Sequence, residues 1–361
     1  MKFTANRDAL IEALVLANKA TSAKQMAILG NVHISPRKGA IEILGHNLST
    51  AVFTSVPAAI EEPSNACIPG ATVAAFLEKC AEPTVTVTLE NKKANIKCGR
   101  AKTTLACAEP EDYPQIERLG SDALSCEVCT DEFFYAIKSV MYACAEQCAK
   151  VSLQCLNIKI SGNKLHITAC DGYRAATVEK SVSATGKGTF NIFKNDIKTA
   201  MAVLSGEKIE LRYNSKTLEF IGADSVCKVN LCAEEYPDIE KQIQKAFSGA
   251  TEHITVKAAA IKSALARICA LPSQSVGYPL RLDISDNITL SYNFGTGTFT
   301  DEVECKLDGE PFTVGVGTQF FSDALKSVGE SITIGCHGEK GAITVDSGDM
   351  RQMLMPMRLK K

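Results

Sequence analysis

The sequence lacks long apolar runs and lacks a strong net charge. Its longest apolar stretches, such as Ala258–Ile261 and Ala200–Leu204, fall far short of the ~18–20 residues that a membrane-spanning helix needs. Met1–Thr4 lead straight into an amphipathic pattern without the apolar core of a secretory signal, so we expect a cytoplasmic protein with no membrane partner. The 39 basic and 41 acidic residues nearly cancel, so composition alone does not indicate nucleic-acid binding.

Signatures of an enzyme or a metal centre are also missing. The five histidines do not occur at metal-binding spacing, and no Gly-x-Ser-x-Gly motif is present. Cys126 and Cys129 form a Cys-x-x-Cys motif, but we place it in a strand, where residues three apart face opposite sides and cannot share one metal ion. We therefore predict a protein without catalytic residues, metal or cofactor. A cysteine-dependent enzyme using Cys126 and Cys129 is a remaining alternative.

The 15 cysteines form an odd number and are scattered from Cys67 to Cys336 without a framework spacing. In a cytoplasmic protein, this pattern predicts reduced thiols that are mostly buried.

An internal repeat organises the chain. Tyr113-Pro114 and Tyr236-Pro237 end two closely similar segments and lie 123 residues apart, and Pro356 follows at a similar distance. Around these positions, strand and helix patterns recur three times in the same order. With 361 residues, 45% of them hydrophobic, the chain is long enough for three independent cores. We predict an α+β protein of three homologous domains, 1–121, 122–248 and 249–361, each with two helices packed on β-sheets.

The apolar periodicity places the helices of each module. The strand and helix that open each module are predicted at Met1–Ala20, Leu124–Ala145 and Glu252–Leu271. The second helices are predicted near Thr72–Cys80, Asn195–Leu204 and Ser322–Val328. Basic residues fall off the apolar stripes of these helices, at Lys79, Lys138, Lys198, Lys262 and Arg267. Acidic residues concentrate in predicted loops, at Glu61-Glu62, Glu109–Asp112, Glu234-Glu235 and Asp301–Glu304.

Several motifs together resemble one family, the β sliding clamps of bacterial replicative DNA polymerases. They are Met1–Thr4, Ile28–Asn31, Asp171–Arg174, Tyr236–Asp238 and the C-terminal Leu354–Leu359. The match extends over essentially the whole chain. In that family, three like domains form half of a ring, and a head-to-tail homodimer encircles double-stranded DNA. The resemblance implies a processivity factor that tethers DNA enzymes and is not itself an enzyme; a peptide-binding scaffold that does not close into a ring is the alternative.

The resemblance also implies a DNA-facing set of residues. By position, these are Lys24, Gln147, Lys150 and Lys194, in addition to the five basic helix-face residues. Binding would be independent of sequence, because contacts to phosphates carry no base information. Glu12 and Pro69–Ala71 stand where the family has basic residues, which predicts looser contact with DNA.

A peptide-binding cleft between the second and third domains is implied as well. In the family, it takes short hydrophobic peptides from the catalytic subunit of the replicative polymerase, the clamp loader, repair polymerases and ligase. The matching positions are Leu153, Cys170, Gly172, Tyr173, Arg174, Pro237, Lys241, Met353, Met355, Pro356, Met357 and Arg358. Tyr173 replaces a usual histidine and Ala175 a larger aliphatic residue, which predicts a reshaped cleft.

At the joint between subunits, the resemblance assigns Thr103, Leu105, Ala270 and Leu271. Thr103 and Ala270 are smaller or more polar than the family pattern, so we predict a weaker dimer than is usual for these clamps.

Overall fold

The computed structural model describes residues 1–182, 184–271, 279–338 and 341–359. The first and last thirds of the chain follow one order of ten elements: strand, helix, four strands, helix, three strands. The second third follows the same order with one additional short strand and one additional helix. The predicted α+β fold of three like modules is therefore confirmed. No helix among the described residues is both long enough and apolar enough to cross a membrane.

The elements are as follows. The first third contains β1 (Lys2–Asn6), α1 (Arg7–Asn18), β2 (Val32–Arg37), β3 (Ala40–His46), β4 (Thr50–Glu62), β5 (Ala66–Ile68), α2 (Gly70–Leu77), β6 (Thr84–Glu90), β7 (Lys93–Cys98) and β8 (Ala101–Ala106). The second contains β9 (Leu124–Cys129), α3 (Thr130–Val140), β10 (Cys155–Ser161), β11 (Lys164–Cys170), β12 (Arg174–Ser181), a short β13 (Ala184–Thr185), β14 (Lys187–Phe193), α4 (Lys194–Val203), β15 (Lys208–Tyr213), β16 (Thr217–Ile221), β17 (Ser225–Asn230) and an additional helix, α5 (Ile239–Gly249). The last contains β18 (Glu252–Lys257), α6 (Ala258–Cys269), β19 (Leu280–Ile284), β20 (Asn287–Asn293), β21 (Thr298–Asp308), β22 (Phe312–Val316), α7 (Thr318–Ala324), β23 (Ser331–Cys336), β24 (Ile343–Asp346) and β25 (Met350–Leu354).

Four details differ from the sequence prediction. Helix α7 begins at Thr318, four residues earlier than predicted. Lys79 lies beyond the end of α2 at Leu77, so it is not on a helix face. The acidic stretches Glu61-Glu62 and Asp301–Glu304 lie in β4 and β21 rather than in loops, because their alternate residues continue the strand pattern. Helix α5 was not predicted.

The chain packs into two compact units, and the division passes through the second module. The first unit comprises Met1–Asp131, Ser183–Gly186 and Asn195–Leu231, and the second comprises Glu132–Val182, Lys187–Lys194 and Cys232–Lys361. The reason lies in the strand pairing. One sheet of the second module continues into the first module's sheet through β17 and β4, and its other sheet continues into the third module's sheet through β12 and β25.

Each unit has one unpaired strand edge that bears on function. In the first unit, β8 is the last strand of the sheet order β13-β9-β15-β16-β17-β4-β1-β6-β7-β8. In the second unit, the order is β14-β10-β11-β12-β25-β24-β23-β18-β21-β20-β19-β22. Within it, β21 pairs with β18 only over Cys305–Asp308, so in the described structure Thr298–Glu304 has a partner strand on one side alone.

Helix stripes and inward-facing strand residues build the cores. In the first module, Leu10 and Leu14 of α1 and Val73 and Leu77 of α2 pack around Phe3. Asn6 caps α1 by accepting a hydrogen bond from the backbone N–H of Ala9 at 3.0 Å. In the third module, the predicted α6 stripe is buried in the same way; its members are Ile261, Ala264, Leu265 and Ile268.

The duplicated Tyr-Pro motif has the same role in two modules. The Tyr113 hydroxyl donates to the carbonyl oxygen of Leu44 at 3.3 Å, and the Tyr236 hydroxyl donates to that of Thr168 at 3.4 Å. Each acceptor lies three residues before the first residue of a turn, which is Asn47 in one module and Asp171 in the other. In both turns, the side chain of this residue accepts hydrogen bonds from the backbone N–H groups two and three residues later. The sequence repeat is therefore a repeat of local structure.

A buried carboxylate joins the first and second modules within the first unit. Asp196 of α4 is 6% exposed and accepts hydrogen bonds from the hydroxyls of Thr50 (2.5 Å) and Ser49 (3.0 Å). Its other oxygen is buried and has no partner in the described structure. Burial raises the pKa of Asp196, and the two hydroxyl donors only partly oppose this effect.

Replacing Asp196 with asparagine is expected to change how stability depends on pH. Because the folded-state pKa is raised, the contribution of Asp196 to stability is greatest below the ordinary aspartate pKa and is lost as the pH rises through the raised value. Asparagine cannot ionise. The free energy of unfolding of the variant, relative to that of the wild type, should therefore increase by on the order of 1 kcal/mol from about pH 4 to about pH 8. Urea unfolding at both pH values measures this. Asp224→Asn, at an exposed aspartate, is the control; an equal pH response in both variants would contradict the assignment.

Candidate functional site

The β11–β12 turn in the second unit presents an aromatic side chain to solvent. The Asp171 carboxylate accepts hydrogen bonds from the backbone N–H groups of Tyr173 and Arg174, both at 2.9 Å. Between them, Gly172 has a φ of +93°, a conformation that side chains disfavour. The turn is therefore rigid, and Tyr173 stands 65% exposed at its tip.

The C-terminal segment runs beside this turn. The backbone N–H of Met355 donates to the carbonyl oxygen of Tyr173, and that of Met357 donates to the carbonyl oxygen of Gly315, both at 2.8 Å. Met355 is 46% exposed, whereas Met353, Pro356 and Met357 are half-buried. The backbone of the segment is thus held at Met355 and Met357, while the side chain of Met355 remains exposed to solvent.

A small apolar cluster lies beside the β11–β12 turn. Leu153, Cys170 and Ala175 are buried in it, and Met353 packs against it. Helix α5 contributes Ile239 and Ile243 to the same cluster. The remaining predicted cleft residues lie around it: Pro237 is half-buried before α5, while Lys241 and Arg358 are exposed. Three of the twelve predicted residues, Leu153, Cys170 and Met353, therefore meet in this cluster.

Arg174 lies at the centre of a buried charge network. Its guanidinium donates to Asp171 at 3.0 Å and to Asp323 of α7 at 2.8 Å, and both side chains of the Arg174–Asp323 pair are nearly buried. The same guanidinium lies between two rings, 4.4 Å from the centroid of Phe320 and 5.2 Å from that of Tyr142. Tyr142 in turn donates to Gln352 of β25.

The network lowers the pKa of Asp323. Burial pushes the pKa of Asp323 up, but the donors Lys326, Arg174 and Gln319 together outweigh it and lower that pKa below its ordinary value. Tyr173 stacks on Phe320, with ring centroids 6.4 Å apart. The exposed ring of Tyr173 therefore stacks on Phe320, which lies against the Arg174–Asp323 ion pair. Sequence reasoning missed Tyr142, Phe320, Asp323 and Gln352, because no local pattern marks them.

Replacing Gly315 with alanine is expected to displace the C-terminal segment. A Cβ atom at Gly315 would lie 2.4 Å from the backbone oxygen of Met357, and backbone cannot rotate away as a side chain can. We expect affinity for a fluorescent peptide containing leucine and phenylalanine to fall about tenfold, measured by polarisation. Gly329→Ala is the control, since a Cβ there meets nothing within 4 Å. Unchanged affinity in Gly315→Ala would show that the segment does not shape the cleft.

The predicted DNA-facing residues fall into two groups. Lys24, Lys79, Lys138, Lys150 and Lys198 are exposed and form no ion pair within the described structure, and Gln147 is exposed as well. The other cations are engaged. Lys194 is paired with Glu146, Arg267 is paired with Asp301, and Lys262 donates to the carbonyl oxygen of Val328 at 3.4 Å. Five of the eight predicted cations are thus exposed without an ion pair in the described structure, and the other three have protein partners.

The predicted joint residues lie at or near the two unpaired edges. Thr103 and Leu105 are half-buried on the edge strand β8. Ala270 and Leu271 follow α6, where Ala270 is exposed and Leu271 is half-buried. Exposed cations predominate near β8, where Lys93, Lys97, Arg100 and Lys102 lie together with Glu82 and Glu90. On the part of β21 that has a partner strand on one side alone, the exposed charges are Glu302 and Glu304, and exposed Lys306 and Asp308 follow in the same strand.

The cysteines of the Cys-x-x-Cys motif are free thiols. All 15 cysteines are free, and eight are buried. Cys126 and Cys129 lie in β9 as predicted, and burial raises the pKa of the Cys126 thiol to about 11, which makes it a poor nucleophile. No group of three or more metal-ligating side chains occurs among residues 1–182, 184–271, 279–338 and 341–359.

Solved structures define the class of this fold. The crystal structure of the DNA polymerase sliding clamp from Bacillus subtilis superposes with a TM-score of 0.93 at 18% identity, over 100% of both chains. The DNA polymerase III subunit beta from Pseudomonas aeruginosa superposes with a TM-score of 0.91 at 19% identity, over 99% of this chain and 100% of that one. The fold is that of the sliding clamps.

Sequence comparison identifies the family. Models of the DNA polymerase III beta subunit match residues 1–117 as its N-terminal domain and residues 127–238 as its central domain. The beta sliding clamp of Pseudomonas putida is 21% identical over 376 residues, covering 99% of this chain and 100% of that protein. That of Haemophilus influenzae is 23% identical over 350 residues, covering 91% and 90%. The chain belongs to the DNA polymerase III beta-subunit family, the bacterial β sliding clamps, which confirms the resemblance.

Proposed function

We propose that this chain is a DNA sliding clamp for a replicative polymerase, with domains 1–121, 122–248 and 249–361. Two copies would join head to tail into a ring of six modules around double-stranded DNA. The observation that carries this proposal is the threefold repeat with an unpaired strand edge in its first module and another in its third. A heterologous contact between these edges closes a dimer and covers both.

Charge supports this joint. The first edge presents exposed lysines and an arginine, and the second presents exposed glutamates. Opposite charges steer the two edges together, while Leu105 and Leu271 supply apolar contact. Thr103 and Ala270 add little apolar area, so we keep the prediction of a dimer weaker than the family norm.

Reversing one charge at the joint is expected to weaken the dimer, and reversing its partner is expected to restore it. Lys102→Glu places like charges at both joints of the ring, so the dimer dissociation constant should rise about tenfold at low salt. Lys102→Glu combined with Glu302→Lys should recover most of this loss. Sedimentation velocity over a dilution series measures both. A double variant that is weaker than the single one would contradict this pairing of edges.

The DNA contact would be loose. A clamp that slides must not hold bases, so its exposed lysines would contact phosphates, and the contact would weaken steeply with salt. The exposed candidates are Lys24, Lys79, Lys138, Lys150 and Lys198, together with Gln147. Lys194, Lys262 and Arg267 would first have to release their protein partners. Encirclement, rather than affinity, would keep the clamp on DNA.

The cleft in the second unit would take short hydrophobic peptides from DNA enzymes. Tyr173, Met355 and Met357 offer an aromatic ring and flexible thioethers, which adapt to different guests. Burial of a leucine and an aromatic side chain contributes about 1.5–3 kcal/mol each, which suits exchangeable binding. The partners would include the polymerase catalytic subunit, the clamp loader, repair polymerases and ligase. The chain would act in the cytoplasm, without catalysis or a cofactor of its own.

Topological retention tests the proposal directly. The protein is loaded on nicked circular DNA by a clamp loader and washed in high salt, and the DNA is then linearised. A ring remains on the circle through the wash and is lost from the linear form. Equal retention on both forms, or loss from both in the wash, would instead identify a peptide-binding scaffold that does not close.

A further inference from the structure

One buried histidine uses both ring nitrogens to hold the turn between β3 and β4. His46 ends β3 and is 0% exposed. Its Nδ1 accepts a hydrogen bond from the backbone N–H of Leu48 at 3.3 Å. Because a backbone N–H can only donate, Nδ1 carries no proton, and Nε2 therefore donates to the carbonyl oxygen of Pro114 at 3.0 Å. The geometry thus fixes His46 as a neutral ring with its proton on Nε2.

The turn depends on its hydrogen bonds, because its backbone is strained. Leu48 has a φ of +75°, in a region that bulky side chains disfavour. In this conformation, the turn presents the hydroxyls of Ser49 and Thr50 to the buried carboxylate of Asp196 on α4. His46 therefore supports the contact between the first and second modules within the first unit.

Other titratable groups surround the His46 ring. Tyr113 meets it edge-on, with ring centroids 4.8 Å apart, and His33 of β2 stacks on the same tyrosine at 5.5 Å. Burial lowers the pKa of His46, the Pro114 carbonyl partly opposes this effect, and His33 lowers the pKa further. Burial also lowers the pKa of His33. The groups that act on these neighbours are Glu42, Arg37 and Glu111 on His33, and the Cys67 thiol of β5 on Tyr113.

We propose that protonation of His46 in mild acid opens this turn and thereby loosens the contact between the first and second modules. A proton taken up by the ring can go only to Nδ1. The new N–H would then face the N–H of Leu48, and two donors cannot share a hydrogen bond. The strained turn opens, and Asp196 loses the hydroxyls of Ser49 and Thr50. The bond to Pro114 survives, because Nε2 remains a donor.

The direction of the response follows from the burial of the ring. Because the folded-state pKa of His46 is lowered, its contribution to the closed turn is fully present above the ordinary histidine pKa of about 6.5 and is lost as the pH falls below that value. Uptake of one proton raises the opening constant by up to about tenfold per pH unit in this window. Asp196 responds in the opposite direction, since acid favours its neutral form, so the test compares proteins that all retain Asp196.

Hydrogen exchange of the full chain tests the proposal. Exchange of the amides of residues 47–50 is followed by mass spectrometry from about pH 7.5 to about pH 5.5 and corrected for the intrinsic pH dependence of exchange. The opening constant of the wild-type turn should rise by up to about tenfold per pH unit below about pH 6.5. His46→Asn should show no such rise, because its side-chain oxygen can accept from Leu48 and takes up no proton. His253→Asn, at an exposed histidine, should follow the wild type.

Nitrogen NMR of the wild type with labelled histidine is a second test that needs no substitution. At neutral pH, His46 should carry its proton on Nε2, and its ring should titrate at a lower pH than that of His253. The proposal is overturned by a wild-type opening constant that does not change with pH, by a His46→Asn protein that keeps the wild-type response, or by a His46 ring with its proton on Nδ1. If His46→Asn does not fold, the NMR result decides. Neither measurement requires DNA or a closed ring, so the outcome is independent of the proposed function.

Discussion

Replacing Arg174 with alanine is expected to destabilise the chain by about 3 kcal/mol and to abolish measurable binding of a leucine- and phenylalanine-containing peptide. The guanidinium is nearly buried between Asp171 and Asp323, and removing one partner of a buried ion pair typically costs about 3–5 kcal/mol. The lower end applies here because Asp323 keeps hydrogen bonds from Lys326 and Gln319. Binding should be lost because Phe320, on which Tyr173 stacks, then loses the cation beneath it.

Urea unfolding and fluorescence polarisation measure the two effects. Arg351→Ala is a matched control, since Arg351 also lies over a ring, that of Phe247 at 5.5 Å, but is exposed. It should change stability by no more than about 0.5 kcal/mol. If Arg174→Ala is as stable as this control, the network contributes nothing to the fold. If it is destabilised yet binds peptide normally, the network supports the module but not the cleft.

Replacing Leu105 with glutamate is expected to convert the proposed dimer into monomers and to end retention on DNA. Loss of one buried leucine costs about 1.5–3 kcal/mol per joint, and a closed ring has two joints. The dimer dissociation constant should therefore rise by about 10²–10⁴-fold. The added charge would also face the exposed glutamates of β21, which adds repulsion. Mass photometry measures the dimer, and retention on nicked circular DNA measures encirclement.

Leu124→Glu is the control for this substitution. Leu124 is a leucine at the start of β9 and is 64% exposed, so the same chemical change there should affect neither the dimer nor retention. A Leu105→Glu protein that remains dimeric at the concentrations where the wild type is dimeric would place the subunit contact elsewhere. Thermal melts of both variants establish that any loss of the dimer does not follow from unfolding.

Local patterns were sufficient to predict the two helices that recur in each module, but not helix α5. Apolar stripes such as Ile261, Leu265 and Ile268 are set by neighbouring residues, and each proved to be the buried face of its helix. The Tyr-Pro repeat marked the modules because each tyrosine makes the same hydrogen bond to a neighbouring strand. The resemblance supplied the positions proposed for the cleft, and three of them, Leu153, Cys170 and Met353, lie in one small cluster.

Long-range packing accounts for part of what was not predicted. Arg174 contacts Tyr142, Phe320 and Asp323 only because segments that are distant in the sequence pack together. No spacing in the sequence predicts these contacts. Whether a lysine is unpaired also depends on which residues the fold places beside it. Lys194, for example, is paired with Glu146. Helix α5 is different, because its apolar residues at helical spacing and its cap at Asp238 were readable from the sequence.

The open edges of β8 and β21 carry a consequence for preparations of this protein. A head-to-tail contact closes after two copies only if the angle between them returns the last edge to the first. A variant that tilts the modules would still join edge to edge, but its chains would grow into an open helical filament instead of separating. Light scattering that appears on concentrating a well-folded variant, and that clears on dilution, would then report an altered angle between subunits rather than misfolding.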